Sequence, residues 1–393
     1  MAFAMAMLMV AGLATACTNG DADYLRGGAE VDVVTIGMIG PLSGPHSQFG
    51  TAVQRGVNLY IDQFNALEGL QVTVMFHDDE STAPGAVLGF DRMVDQVTAI
   101  IGGVTSGATR AIVPLSYEAN MPMITPTATH FNVTVCADNG NVFTNMFRAC
   151  FIDPFQGQRM AEFASEILGA QTAAVLYSNE IDYSIGLMEA FIARAEELGI
   201  EVVEVQRFAD DAPDFRSQLA IIAQSSPDVL FIPAYYRHVG LIGPQSVDVD
   251  LSNTTFIGAD GWATTTDFMA DSSSIEGAYF LTGFSAEADD PLVQNFVADY
   301  RARHGETPNM FTAQAFDAAK ILIAALEVTI ANTDYVPGTD QFKTALIANM
   351  AATDIYGVTG RVTFDELNNP EKTAIILQVR DGEEAFWGYF PAE

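Results

Sequence analysis

From Val31 onward, short β-branched runs alternate with stretches of helical period. The runs are Val33 to Ile39, Val72 to Phe76, Val97 to Gly102, Met123 to Thr125, Ala173 to Tyr177, Val202 to Phe208, Val229 to Pro233 and Thr255 to Gly258. Between them, Ala52 to Asn65 sets Val53, Val57, Tyr60, Ile61 and Phe64 on one stripe, and Gly186 to Leu198 does the same with Leu187, Phe191, Ala195 and Leu198. Strand then helix, repeated, predicts an α/β fold of doubly wound parallel sheets covered on both faces. There are too many such units for one ordinary sheet, and 393 residues leave room for two domains of about 100 to 200 residues each.

The natural break lies near Arg148 to Gly157, where Pro154 and Gly157 punctuate the pattern before a helix expected from about Gln158. A second break runs from Thr282 to Pro291, ahead of helices at Leu292 to His304 and Thr312 to Ala331. The chain then turns β-rich, at Arg361 to Phe364, Ala374 to Arg380 and Ala385 to Phe390, around an Asp381-Gly382 turn.

The formal net charge of -33 arises from 50 acidic against 17 basic residues, and lysine occurs only at Lys320, Lys343 and Lys372. Such a surface repels phosphate backbones and anionic headgroups, so nucleic-acid binding and polybasic membrane docking are excluded as working hypotheses. With 49% apolar residues, the chain can bury substantial cores.

Residues 1–16 carry no charge and lead through Leu13-Ala14-Thr15-Ala16 to Cys17. This reads as a secretion signal ending in a lipobox-like site, with Cys17 expected to carry lipid and 18–30 to form a flexible tether. No Lys or Arg precedes the apolar core, and Ala14 stands where such sites usually hold leucine; a buried N-terminal helix is the alternative. No other apolar run of that length follows, so the remainder is expected to be soluble. Cys136 and Cys150 have 13 residues between them; an oxidising compartment would permit a bridge, and two free thiols are the alternative.

No metalloprotease, nucleophile-elbow, Walker A or dinucleotide fingerprint occurs, and the five histidines are scattered singly. No catalytic residue, metal or cofactor is therefore assigned. What the chain offers instead is hydroxyls and amides at strand-to-helix junctions. Ile100 to Thr109 ends a buried strand at a helix start where free amides and Ser106 could receive a carboxylate, or where Ser or Thr could simply cap the helix. Ile124 to Thr129 offers further hydroxyls and carbonyls at the carboxyl end of the next strand. At Phe256 to Trp262, Asp260 follows an apolar strand with no Lys or Arg nearby in sequence. A buried carboxylate there needs a cationic partner, and a ligand ammonium would serve. Tyr183, Tyr235 and Tyr236 follow two other strands, as rim or as ordinary packing.

These residues resemble a type I periplasmic substrate-binding protein of the branched-chain amino acid (Leu/Ile/Val) class. The carriers are Ile39 to Gly44, Gly56 to Asn65, Asp78-Asp79 with Ala83 to Ala86, Gly102 to Thr109, Pro122 to Thr129, Phe147-Arg148 with Asp153 to Gly157, and Gly258 to Trp262, in that order. The resemblance implies two lobes joined by three crossovers that close like a hinge, with 31–152 plus 284–357 as lobe 1 and 153–283 plus 358–393 as lobe 2. It implies that Ser106 and Thr129 hold a ligand carboxylate. The Thr127 carbonyl, the Thr129 hydroxyl and Asp260 would hold an α-ammonium, and Tyr183 and Tyr235 would cover the ligand, with Tyr236 able to exchange roles with Tyr235. Asp260 replaces the glutamate of the best-known members. His46, Phe49, Tyr117 and Phe155 are candidates for shaping the side-chain end of the cleft.

The expected function is that of an uptake receptor: a monomer, lipid-anchored outside the cytoplasm, that captures an amino acid and delivers it to an ABC permease. A sensor of the same fold, or binding of an amide, urea or an aromatic acid, is the alternative. An enzyme is not expected.

Overall fold

The computed structural model describes residues 33–263 and 272–391; the signal, tether and Cys17 expectations lie outside them. A five-stranded, wholly parallel sheet has the order β2-β1-β3-β4-β5, formed by β1 (Val33–Gly40), β2 (Gln71–Asp78), β3 (Ile100–Gly102), β4 (Met123–Thr125) and β5 (Met146–Arg148). β3, β4 and β5 are buried along their whole length, which is why β3 and β4 read as short runs without alternation, whereas β5 carries the buried Arg148. Helices α1 (Ser47–Asn65), α2 (Ala83–Met93) and α3 (Ser106–Glu118) connect the strands.

The second sheet repeats the same winding. Its parallel part has the order β7-β6-β8-β9-β10, from β6 (Thr172–Ser178), β7 (Glu201–Phe208), β8 (Val229–Phe231), β9 (Thr255–Gly258) and β10 (Tyr279–Thr282). Among its helices are α4 (Asp153–Glu166), α5 (Asp182–Glu197), α6 (Arg216–Ser225) and α7 (Tyr236–Ser246). In both sheets the direction of winding reverses beside the first strand, and ligands of open α/β sheets collect outside the carboxyl ends at that point.

Two helix starts differ from expectation. α4 begins at Asp153, not near Gln158, because Pro154 occupies the first turn, where its missing N–H costs nothing. α5 begins at Asp182, which puts Tyr183 in its first turn.

The chain passes between lobes three times: after β5, after β10, and again before the antiparallel edge pair β13 (Ala374–Arg380) and β14 (Glu383–Phe390) completes the second sheet. Between the last two passages lie α8 (Pro291–His304), α9 (Met310–Asn332), α10 (Asp340–Ala351) and the hairpin β11 (Asp354–Gly357) and β12 (Gly360–Thr363). α9 packs along α1. The third passage falls between Asn369 and Ala374, later than the 357/358 division expected from sequence. The reason is a set of bonds back to lobe 1: Asn368 Nδ2 donates to the carbonyls of Phe143 and Met146, and Phe364 packs on Phe147.

The buried Asp317 of α9 holds the hairpin. Its carboxylate accepts from the amides of Val358 and Thr359, both at 2.8 Å, and from the Thr359 hydroxyl. Lys372, half-buried, donates to that hydroxyl at 2.6 Å, and its charge counters the upward push that burial exerts on the Asp317 carboxyl. Cys136 and Cys150 are both free thiols. Cys150 turns its sulfur toward the Ala128 carbonyl at 3.5 Å, whereas Cys136 sits in a turn closed by Asn141, so the bridge is not formed. Asp317→Ala should lower unfolding stability by about 3 kcal/mol in denaturant titration, because it strips the Val358 and Thr359 amides of their acceptor and Lys372 of its nearby counter-charge. A loss below about 0.5 kcal/mol would contradict this anchoring role.

Candidate functional site

A small enclosed cavity lies where the carboxyl ends of the two sheets face one another. Lobe 1 lines it with Phe49, Val104, Thr105, Ser106, Thr127 and Phe311, and lobe 2 with Tyr183, Tyr235, Asp260 and Gly261. Five of the residues singled out from sequence, Ser106, Thr127, Tyr183, Tyr235 and Asp260, thus share one cavity. Thr129 lies beside it, against Asp153.

Local geometry explains the Gly258-Ala-Asp-Gly-Trp262 motif. The Trp262 ring lies over Gly258, where a Cβ would come within 2.1 Å of it, and its Nε1 donates to the Ile232 carbonyl at 2.8 Å. That wedge holds a 3-10 turn carrying Asp260. Gly261 lets two phenols approach: a Cβ there would meet the Tyr183 hydroxyl at 2.8 Å and the Tyr235 ring at 3.0 Å. The Tyr183 hydroxyl donates to Asp260 Oδ1 at 2.8 Å and accepts from the Gly261 amide at 2.8 Å. Tyr235 stacks on Tyr183 with ring centroids 4.8 Å apart.

Asp260 is 2% exposed, and no ion pair among the described residues includes it. Burial raises its pKa to about 6, with the Tyr183 hydrogen bond opposing. At pH 7 such a group is still roughly nine-tenths ionised. Asp260 therefore offers an anion in a low-dielectric cleft without a protein cation of its own.

The carboxylate end is built by α3. Several other helices carry side-chain caps: Thr82 on α2, Asp290 on α8, Asn309 on α9 and Thr339 on α10. At α3, Thr105 stands at the cap position without a capping bond, and its buried hydroxyl has no partner. Ser106 Oγ instead accepts the His130 amide at 3.3 Å, and the Ser106 amide is turned to the Tyr235 hydroxyl. The start of α3 thus lacks a side-chain cap, and its Ser106 amide lies at the cavity-lining Tyr235.

Sequence reasoning gave no role to Asp153 or Gln156. Asp153, in the first turn of α4, is fully buried; neither its oxygens nor the neighbouring Thr129 hydroxyl has a well-formed hydrogen bond. Burial pushes its carboxyl well up, the Asp260 charge adds to this, and the Arg148 charge opposes it. Arg148 is also fully buried, donating to the carbonyls of Ala128, His130 and Phe131. Gln156 accepts the Asp260 amide at 3.1 Å and leaves its own NH2 unpartnered. The sequence signals were Asp153-Pro154 at a helix start and the place of Asp153 to Gly157 in the resemblance, and neither speaks of burial.

Other candidates fall away from the cavity. Tyr117 is exposed at the far end of α3 and packs on Phe143, and Phe155 packs on Phe151 near the first crossover, so neither shapes the site. Tyr236 donates to the Pro45 carbonyl at 2.9 Å and does not line the cavity, which leaves Tyr235 in the lining position. Phe49 lines it, stacked on Phe311 at 4.2 Å, and His46 sits edge-on to Tyr235.

Residues 33–384 match the family model described as periplasmic binding protein. A leucine-binding protein of Thermotoga maritima is 30% identical and superposes with a TM-score of 0.81, covering 91% of this chain and 98% of that one. A branched-chain amino acid transporter substrate-binding protein of Streptococcus pneumoniae, solved with isoleucine, is 28% identical, with a TM-score of 0.80 and coverage of 90% and 98%. A Leu/Ile/Val-binding protein of Rhizobium johnstonii is 28% identical over 298 residues, 75% of this chain and 79% of that protein. A Rhodopseudomonas palustris binding protein in complex with benzoate shares the fold at 23% identity and a TM-score of 0.79, over 91% and 96% of the two chains. The chain belongs to the periplasmic binding protein family, as a type I member of its branched-chain amino acid group. It is thus of the substrate-binding class that serves ABC transporters, a class that works outside the cytoplasm and whose members are not enzymes. Among the described residues, no helix is long and apolar enough to cross a membrane.

In the protein without ligand, the Asp260 carboxyl should titrate near pH 6 by carbon NMR. Tyr183→Phe, which removes the bond favouring the ionised form, should move that midpoint higher. A wild-type midpoint at the ordinary carboxylate value of about 4 would contradict the burial argument.

Proposed function

We propose that the protein captures a zwitterionic α-amino acid with a neutral, apolar side chain between its lobes and delivers it to an ABC permease. The observation that carries the reading is Asp260, a buried acid without a protein counter-charge, facing the uncapped start of α3 across one cavity. The ammonium is held by Asp260 and the neighbouring Asp153, with the Thr127 carbonyl and Thr129 hydroxyl. The carboxylate takes the Ser106 amide and hydroxyl, where the helix N-terminus favours negative charge.

Charge supports a neutral side chain. Burial pushes the Asp153 carboxyl toward its neutral form, which leaves Asp260 as the anion for one ammonium. Phe49, Val104 and Phe311 supply apolar surface with no charge. Relatives named for leucine, isoleucine and valine stand at 28 to 30% identity, which supports the branched-chain class over an aromatic acid. Such an acid would leave Asp260 unpaired.

With the lobes shut, the cavity measures about 10 Å³, room for about one water. Entry of an amino acid therefore requires the lobes to part and Tyr235 to release the Ser106 amide. We assign Cys17 as the lipid-bearing residue that keeps a monomer at the membrane surface. In a thermal-shift panel of amino acids, amides and urea, one α-amino acid class should stabilise the protein by about 2.7 kcal/mol at 100 times its dissociation constant. Asp260→Ala should abolish that shift. Stabilisation by neutral amides but not by amino acids would sink the ammonium assignment.

A further inference from the structure

The lobes also meet beside the cavity, along the loop that enters α1. Tyr236 of lobe 2 donates to the Pro45 carbonyl, and the His46 ring stands edge-on to Tyr235 with centroids 4.9 Å apart. Phe49 of its own lobe lies parallel to the imidazole at 6.3 Å. His46 is 5% exposed, and neither ring nitrogen has a hydrogen-bond partner. A neutral imidazole tolerates that setting at the cost of two unmade bonds, whereas an imidazolium would be a buried cation among aromatic rings.

The charged and titratable groups that face it come from lobe 2: Asp210 after β7, and Arg237 and His238 in the first turn of α7. Arg237 repels a second cation. His238 is engaged with the Asp210 carbonyl at 2.7 Å, and its Nε2 lies 3.5 Å from Asp210 Oδ1, so that carboxylate is directed to His238 and forms no ion pair with His46. Parting the lobes would take Tyr235 and Tyr236 off this loop and return the imidazole to water.

We propose that His46 is a proton-operated stop on lobe closure: the neutral ring lets lobe 1 seat against Tyr235, and the protonated ring holds the lobes apart. This rests on the two-lobe reading above but on no particular ligand. Burial lowers the His46 pKa to about 4 in the closed form, with Asp210 opposing and His238 and Arg237 assisting; in water it is about 6.5. A base whose pKa falls on closing loses its proton as it closes. The closed form is therefore favoured above about pH 6.5 and progressively lost as pH falls toward 4.

Other groups titrate in the same range. His130, against Gly186 and between Arg110 and Asp182, is also lowered to about 4 and acts in the same direction. Asp260, raised by burial to about 6, acts in the opposite direction, since protonation favours its closed surroundings, and the upward push of burial on Asp153 has the same sign. Only a comparison that changes His46 alone separates its share.

The test uses the full chain without ligand, with fluorescent labels at the exposed positions 67 and 247 on opposite lobes, reading the ratio of closed to open molecules between pH 7 and pH 5. The variants are His46→Gln and His46→Phe, the second keeping a ring against Tyr235. Wild type should lose about 20-fold more of its closing ratio over that interval than either variant, the size given by moving the histidine from about 6.5 to about 4. Equal pH responses in wild type and both variants would overturn the proposal. If closing still follows His46 while no amino acid binds at any pH, the functional reading fails and the stop stands; if an amino acid binds but His46 makes no difference, only the stop fails.

Discussion

A carboxylate taken out of water without a counter-charge is among the least favourable groups a protein can bury, and this fold is arranged to hold one. Asp260 follows a central strand, is fixed by the Trp262 wedge over Gly258, and is met by a single phenolic donor from α5. Each of those supports comes from a different part of the second lobe. Burial raises the carboxyl only to about 6, so the anion survives at neutral pH and its missing partner can be supplied from outside.

The rest of the architecture follows from needing a second surface opposite that anion. One sheet cannot enclose a zwitterion. Two sheets with the same winding, joined by three passages of chain, bring carboxyl ends face to face, so that the uncapped start of α3 meets Asp260 across the cavity. The third passage stays bound to lobe 1 as far as Asn369, through Asp317 and Asn368, before β13 enters the second sheet. Closure then brings loop 45–46 onto the start of α7, where aromatic contacts and one hydrogen bond join the lobes.

Much of this was legible in the residues. Buried parallel strands announce themselves as apolar runs, and the glycine-flanked Asp260 stood out because no basic residue lies near it in sequence. β5 and β10 did not stand out: Met146-Phe147-Arg148 carries an arginine, and only the fold shows that its guanidinium finds carbonyls inside the protein. Asp153 was invisible for a related reason, since an acid before proline reads as a helix start and its burial depends on α5 packing over it through Gly186. Tyr117 and Phe155, named with the resemblance as candidates for the side-chain end of the cleft, lie elsewhere because α3 carries Tyr117 to its far end and Phe155 packs on Phe151. The cysteines were close enough in sequence for a bridge, yet the Cys150 sulfur turns to the Ala128 carbonyl and both thiols stay free.

The account turns on one claim, that Asp260 recognises a ligand ammonium. Calorimetry with leucine and with 4-methylpentanoate, the same molecule lacking only its amino group, tests this most directly. Leucine should bind, and the des-amino acid should bind at least about 100-fold more weakly, a difference of about 2.7 kcal/mol, because it leaves Asp260 buried and unpaired. Equal affinities for the two, or tighter binding of the des-amino acid, would contradict the account.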